Sequence, residues 1–265
     1  MQDRYVGDVG DFAKYALLRQ LAGHPTGKPI QIGVVWCLFQ NESHNNDGRH
    51  VSYLDKPEFE ALDDRLLVTL RQVVRSGNRR VSAVSGAKIL PSETIFFDDP
   101  VSPPLVPPIK REERESYRLG WLRNCLMQTE GCQLVFFDPD NGLEVSSVPK
   151  HHPKAGKYIF WDELVPFWIR GQTLLIYHHL NRTKPAAKQV LELKERIAAK
   201  FEGASVRPLV FRRGSCRAFW LVYRQSDIGI EMERRALDLL NSGWARHFRP
   251  PDWPTGSQFR AGATS

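Results

Sequence analysis

Apolar positions along the chain follow two alternating patterns. Between Asp8 and Leu21, the residues Val9, Phe12, Ala13, Ala16, Leu17 and Leu21 recur at helical spacing, which predicts a helix with one buried face. Asp8 suits its N-cap and Asp11 stands three residues later, as in a capping box. Gly23, Pro25 and Gly27 end it. Residues 30–39 then form a continuous β-branched and aromatic run, the pattern of a strand covered on both faces. That pattern returns at 133–138 and 173–179. Helical spacing returns at 57–75, 110–128, 185–201 and 227–241. Short strands are predicted at 81–84, 94–97 and 158–161, and a strand pair at 206–211 and 217–223.

Buried strands alternating with amphipathic helices predict an α/β fold with a doubly wound, mostly parallel sheet, Rossmann-like, and an antiparallel strand pair near the C-terminus. No internal repeat is visible. The pattern predicts a single domain over 1–248 and a proline-rich tail over 249–265.

In open α/β sheets ligands bind beyond the carboxyl ends of the strands. Three polar loops follow the three buried strands. The first offers Glu42, His44, Asn45, Asn46 and Asp47. The second offers Asp138, Asp140 and Asn141, and the third His178 and His179. Asp138 ends the run Phe136-Phe137, and a carboxylate at the tip of a buried strand is costly unless it is partnered or used. Neighbouring strand residues point to opposite faces, so only one of His178 and His179 is expected to face the cleft. Neither dinucleotide nor P-loop glycine spacing is present.

The composition, 42% hydrophobic and 25% charged over 265 residues, excludes a disordered chain or a disulfide scaffold. No apolar run approaches membrane-spanning length, and no secretory signal is expected. The cysteines, Cys37, Cys125, Cys132 and Cys216, show no clip spacing, which predicts a reducing cytoplasm. The net charge is +7, unevenly placed. The first 150 residues carry 18 basic and 20 acidic side chains, and the last 115 carry 19 and 10. That asymmetry predicts a nucleic acid or other polyanion as partner, with no membrane. Arg182, Lys184, Arg212, Arg213 and Arg217 border the predicted cleft and are the candidate phosphate contacts.

Three stretches resemble a known family. Tyr5-Val-Gly-Asp-Val-Gly-Asp-Phe-Ala-Lys14, Leu134-Val-Phe-Phe-Asp-Pro-Asp-Asn141, and the succession of strand, helix, strand pair and final helix from Leu174 onward are similar to class I S-adenosylmethionine-dependent methyltransferases. The nearest likeness is to bacterial large-subunit ribosomal RNA adenine methyltransferases with a DPPY motif. The resemblance implies a methyltransferase-type sheet and S-adenosylmethionine as cofactor, held by Asp11, Lys14 and the loop with Glu42, His44, Asn46 and Asp47. It implies a target amine met by Asp138; Asp140, Asn141 and His178, from the strand-end loops, are the further catalytic candidates. Only Asp138 and Pro139 match the motif itself. Asp140 replaces the second proline and Asn141 the aromatic. The two carboxylates therefore open a second reading, a Mg²⁺- or Mn²⁺-dependent phosphodiesterase or nuclease with Asp138 and Asp140 as ligands. A third is a non-catalytic nucleotide-binding protein.

Overall fold

The computed structural model describes residues 1–23, 28–43, 47–104 and 109–248. The chain begins with helix α1 (Val9–Leu21) and strand β1 (Ile32–Val35). Helices α2 (Pro57–Glu60), α3 (Asp64–Arg75) and α4 (Val81–Gly86) follow, then β2 (Ile95–Phe97), α5 (Arg111–Gln128) and β3 (Leu134–Phe137). The two-residue strands β4 (Gly142–Leu143) and β5 (Tyr158–Ile159) precede α6 (Trp161–Ile169) and β6 (Thr173–His179). Then come α7 (Ala186–Lys200), β7 (Ser205–Arg213), β8 (Ser215–Tyr223), α8 (Asp227–Leu240) and α9 (Ala245–Phe248).

Six strands form one mixed sheet in the order β2-β1-β3-β6-β8-β7. The first four are mutually parallel, and β8 runs antiparallel to both of its neighbours. The architecture is α/β with a mainly parallel sheet, compatible with a Rossmann-like fold. Alternation along the strands explains why the apolar runs were continuous. Ile32, Val34, Leu134, Phe136 and Leu175 pack with the apolar faces of α1, α3 and α8. Val35, Val135, Phe137, Leu174 and Ile176 pack on the other side, with side chains from α5, α6 and α7.

The structure changes several sequence expectations. The run at 30–39 is continuous strand only over Ile32–Val35; Cys37 adopts φ 42° and interrupts the ladder, which Leu38 rejoins in a single bridge to Pro100. Residues 57–75 make two helices, since Asp63 caps a new start by accepting from the Leu66 amide at 3.0 Å. The strand expected at 81–84 is helix α4. Val81 and Val84 are both buried at helical spacing, and the Val81 amide donates to Asp3 Oδ1 at 2.9 Å. Strand β4 had no sequence signal. The tail, 249–265, lies outside the described residues. Among those described, no helix is long and apolar enough to cross a membrane.

Candidate functional site

Beyond the carboxyl ends of β1, β3 and β6 lies a cavity of about 250 Å³. Its wall is assembled from segments far apart in sequence. Asp138, Asp140 and Asn141 come from the exit of β3, and Glu42 and Asp47 from the loop after β1. Asp11 and Lys14 come from α1, and Arg217 from β8.

The first turns of helix α1 line the cavity, and its N-terminus is capped. The Asp8 side chain accepts from the Gly10 amide at 2.6 Å. Asp11 reaches past the cap to the Gly7 amide at 2.9 Å, a variation on the expected capping box. One turn later Lys14 Nζ lies 2.6 Å from Asp11 Oδ1 and 2.6 Å from Asp138 Oδ2. All three side chains are at most 5% exposed. Burial pushes the Asp138 carboxyl upward, and the Lys14 ammonium opposes that shift. Burial alone would lower Lys14, but Asp11 and Asp138 outweigh it and raise the ammonium above its ordinary value. The Asp138 carbonyl also accepts from the Met1 nitrogen at 2.8 Å.

A second charged group also lines the cavity. Lys157 Nζ contacts Glu42 Oε2 at 2.5 Å and Asp140 Oδ2 at 3.4 Å, and Gln2 Nε2 donates to the same two acids. Asp138 and Asp140 thus lean on different lysines. Among the described residues no group of three or more His, Cys, Asp or Glu side chains could hold a metal ion.

Strand alternation decides between the two histidines. Tyr177 and His179 line the cavity, with His179 opposite Arg217 in the ladder. His178, the expected catalytic residue, faces away. Its Nδ1 accepts from the Leu143 amide at 3.1 Å. Gly142 makes this approach feasible, since a Cβ there would stand 2.3 Å from that nitrogen and its φ is 123°. The role of His178 is therefore to pin the loop after β3. Burial, then His179 and Arg196, lowers its pKa to about 4.

A His whose folded pKa is depressed adds stability above its unfolded value, near 6.5, and that stability is lost as pH falls toward 4. His178→Asn keeps an acceptor for Leu143 but cannot titrate. Between pH 7 and 5 the wild type is expected to lose about 2 kcal/mol that the variant does not. Urea midpoints across that range measure it, and parallel acid limbs would refute the assignment.

The remaining basic candidates fall elsewhere. Arg182 and Lys184 are exposed and do not line the cavity, and Lys184 pairs with Glu192 at 2.8 Å. Arg212 and Arg213 sit at the exposed end of β7, where Arg213 Nε donates to His247 Nδ1 at 2.8 Å. Of the five, only Arg217 lines the cavity. His44 and Asn46 lie outside the described residues. Sequence reasoning missed Asp8, His50, Lys157 and Ser215 as lining residues. Asp8 stood in the quoted N-terminal stretch, whereas Lys157 lies in a polar loop with no signal of its own.

No protein-family model matches this chain, and neither a curated protein nor a solved structure matches it.

Proposed function

We propose that the cavity binds S-adenosylmethionine and that the chain transfers a methyl group to an exocyclic amine of a nucleic acid or nucleotide. One observation carries this reading. Lys14 and Asp138, 124 residues apart, meet at 2.6 Å, so the two motif stretches that carry the family resemblance form one wall. The compatible sheet, with its antiparallel strand pair at the C-terminal end, supports the same reading.

The lining chemistry fits the donor. Six carboxylates, those of Asp8, Asp11, Glu42, Asp47, Asp138 and Asp140, face three basic side chains. That suits a ligand with a cationic centre and hydroxyl donors. No glycine-rich loop follows β1, and it is Cys37 that adopts a positive φ there, 42°. The bound donor would supply an electrophilic methyl group. Asp11 and Lys14 would hold and orient it together with Glu42 and Asp47. Asp138, kept in place by Lys14, would accept a hydrogen bond from the target amine, directing its lone pair. A base in a duplex must be unstacked to reach such a recessed carboxylate. The metal-dependent reading loses support, since each of its two acids already leans on a lysine.

Titration calorimetry with S-adenosylmethionine and S-adenosylhomocysteine tests the proposal. Binding of both is expected, together with methyl incorporation into RNA, DNA or nucleotides. Asp138→Asn, which leaves Lys14 paired with Asp11, is expected to lower transfer at least about a hundredfold. Absence of heat with either ligand at millimolar concentration would overturn the reading.

A further inference from the structure

One cation in the cavity wall is under-bonded. Arg217 is 5% exposed and lines the cavity. Its Nη2 donates to Ser215 Oγ at 2.5 Å. Its Nη1 stands 3.6 Å from Asp8 Oδ1, longer than a hydrogen bond. Its Nε is buried with no hydrogen-bond partner among the described residues. A guanidinium carries five N–H donors in a fixed fork, and burying it without partners is costly. The nearest acid, Asp8, accepts from the Gly10 amide at 2.6 Å and pairs with the guanidinium only at the longer 3.6 Å.

The other two basic side chains of the lining differ in this respect. Lys14 contacts both Asp11 and Asp138, and Lys157 contacts both Glu42 and Asp140. An anionic group entering the cavity meets carboxylates at either lysine. At Arg217 it meets one carboxylate, Asp8, at the longer distance of 3.6 Å, beside donors in a planar fork, the geometry that pairs with carboxylate and phosphate. Space for the guanidinium depends on Gly10. A Cβ at that position would sit 1.4 Å from Nη1, so the arginine head lies against the first turn of α1.

We propose that Arg217 is the oxyanion receptor of the cavity, taking a carboxylate or phosphate of the ligand, with Ser215 steadying the guanidinium and Gly10 leaving it room. This deepens the methyl-transfer reading and rests on it for the identity of the ligand. The oxyanion is then either the carboxylate of the methyl donor or a phosphate of the nucleotide acceptor.

Two ligand pairs separate these sources. S-adenosylmethionine against its decarboxylated form tests the carboxylate, and nucleoside 5′-monophosphates against their nucleosides test the phosphate. Calorimetry is expected to show the anionic member of one pair binding at least about tenfold tighter. Arg217→Gln is expected to abolish that preference. Gly10→Ala is expected to reduce the preference, because the atoms its methyl displaces are the ends of the Arg217 and Asp8 side chains and no backbone. Gly10→Ala therefore keeps the proposal testable if Arg217→Gln does not fold. No preference in either pair for the wild type, or a preference that survives both variants, overturns the proposal. Failure of the methyl-transfer reading is seen separately. In that case neither donor form binds, while the nucleotide pair still reports on Arg217.

Discussion

Replacing Lys14 with methionine is expected to destabilise the protein by about 3–5 kcal/mol, the typical cost of stranding buried charges. Lys14 is the shared partner of Asp11 and Asp138, each 3% exposed at the side chain. Methionine fills a similar volume beside the Trp36 ring, which the ammonium now faces at 5.6 Å from the centroid, so little of the loss comes from packing. For a domain of this size the melting temperature is expected to fall by roughly 10 °C. The pH dependence identifies the cause. Asp138 is already raised by burial, and without Lys14 it rises further. Protonation then removes the stranded charge, so the gap between variant and wild type narrows as pH falls from 8 to 5. Chemical denaturation at several pH values measures this. A gap that stays constant with pH would show that the loss is packing and not charge.

The second large effect is expected at Arg118. Its Nε and Nη2 grip Glu163 at 2.5 and 2.9 Å. Nη1 donates to the Ala155 carbonyl at 3.0 Å and Nη2 to the Tyr158 carbonyl at 2.7 Å. Glu163 Oε2 also accepts from the Phe160 amide at 2.9 Å. One guanidinium from α5 thus ties together the start of α6 and residues 155–158, the segment that carries Lys157 into the cavity. Arg118→Met is expected to cost about 3–5 kcal/mol, since it leaves Glu163, 1% exposed, without its main partner. Adding Glu163→Gln removes the stranded charge and keeps an acceptor for Phe160. The double variant is therefore expected to be at least about 1 kcal/mol more stable than Arg118→Met alone. Equal stability of the two would refute the ion-pair account. Ligand affinity at the cavity is expected to weaken in the single variant, because Lys157 loses its support.

How much of this was readable beforehand depends on the range of the interaction involved. Helix α1 was legible nearly to the residue, because its cap and its apolar stripe are both local. The strands at β3 and β6 were legible because each is covered on both faces and reads as an unbroken apolar run. Residues 81–84 were misread, because a short run containing Val81 and Val84 satisfies strand and helix equally. The contact that chose the helix is with Asp3, far away in sequence. The histidine pair shows the same limit within one element. Alternation required one of His178 and His179 to face the cavity. Which one did so was set by the register of β6 against β8 and by the approach of Gly142.

The charge asymmetry follows the same rule. Composition located the basic excess in the last 115 residues but treated its members alike. Folding separated them. Lys184 found Glu192, Arg207 found Glu233, and Arg234 found Glu231 and Asp238. The exposed pairs of Lys184 and Arg234 contribute little to stability, but each of these pairs, the half-buried Arg207–Glu233 included, offsets a basic charge. Arg217 alone among the candidate phosphate contacts was carried into the cavity.

By itself the sequence determined the α/β class, the order of most elements and the loops where polar chemistry gathers. Those features rest on periodicity, capping and turn residues, which act over a few positions. Only the tertiary structure decided that Lys14 meets Asp138, that Lys157 joins Glu42 and Asp140, and that Arg217 is left with donors to spare. Each of those facts joins residues from separate elements, where strand order and register, and not neighbouring sequence, set which side chains share a wall.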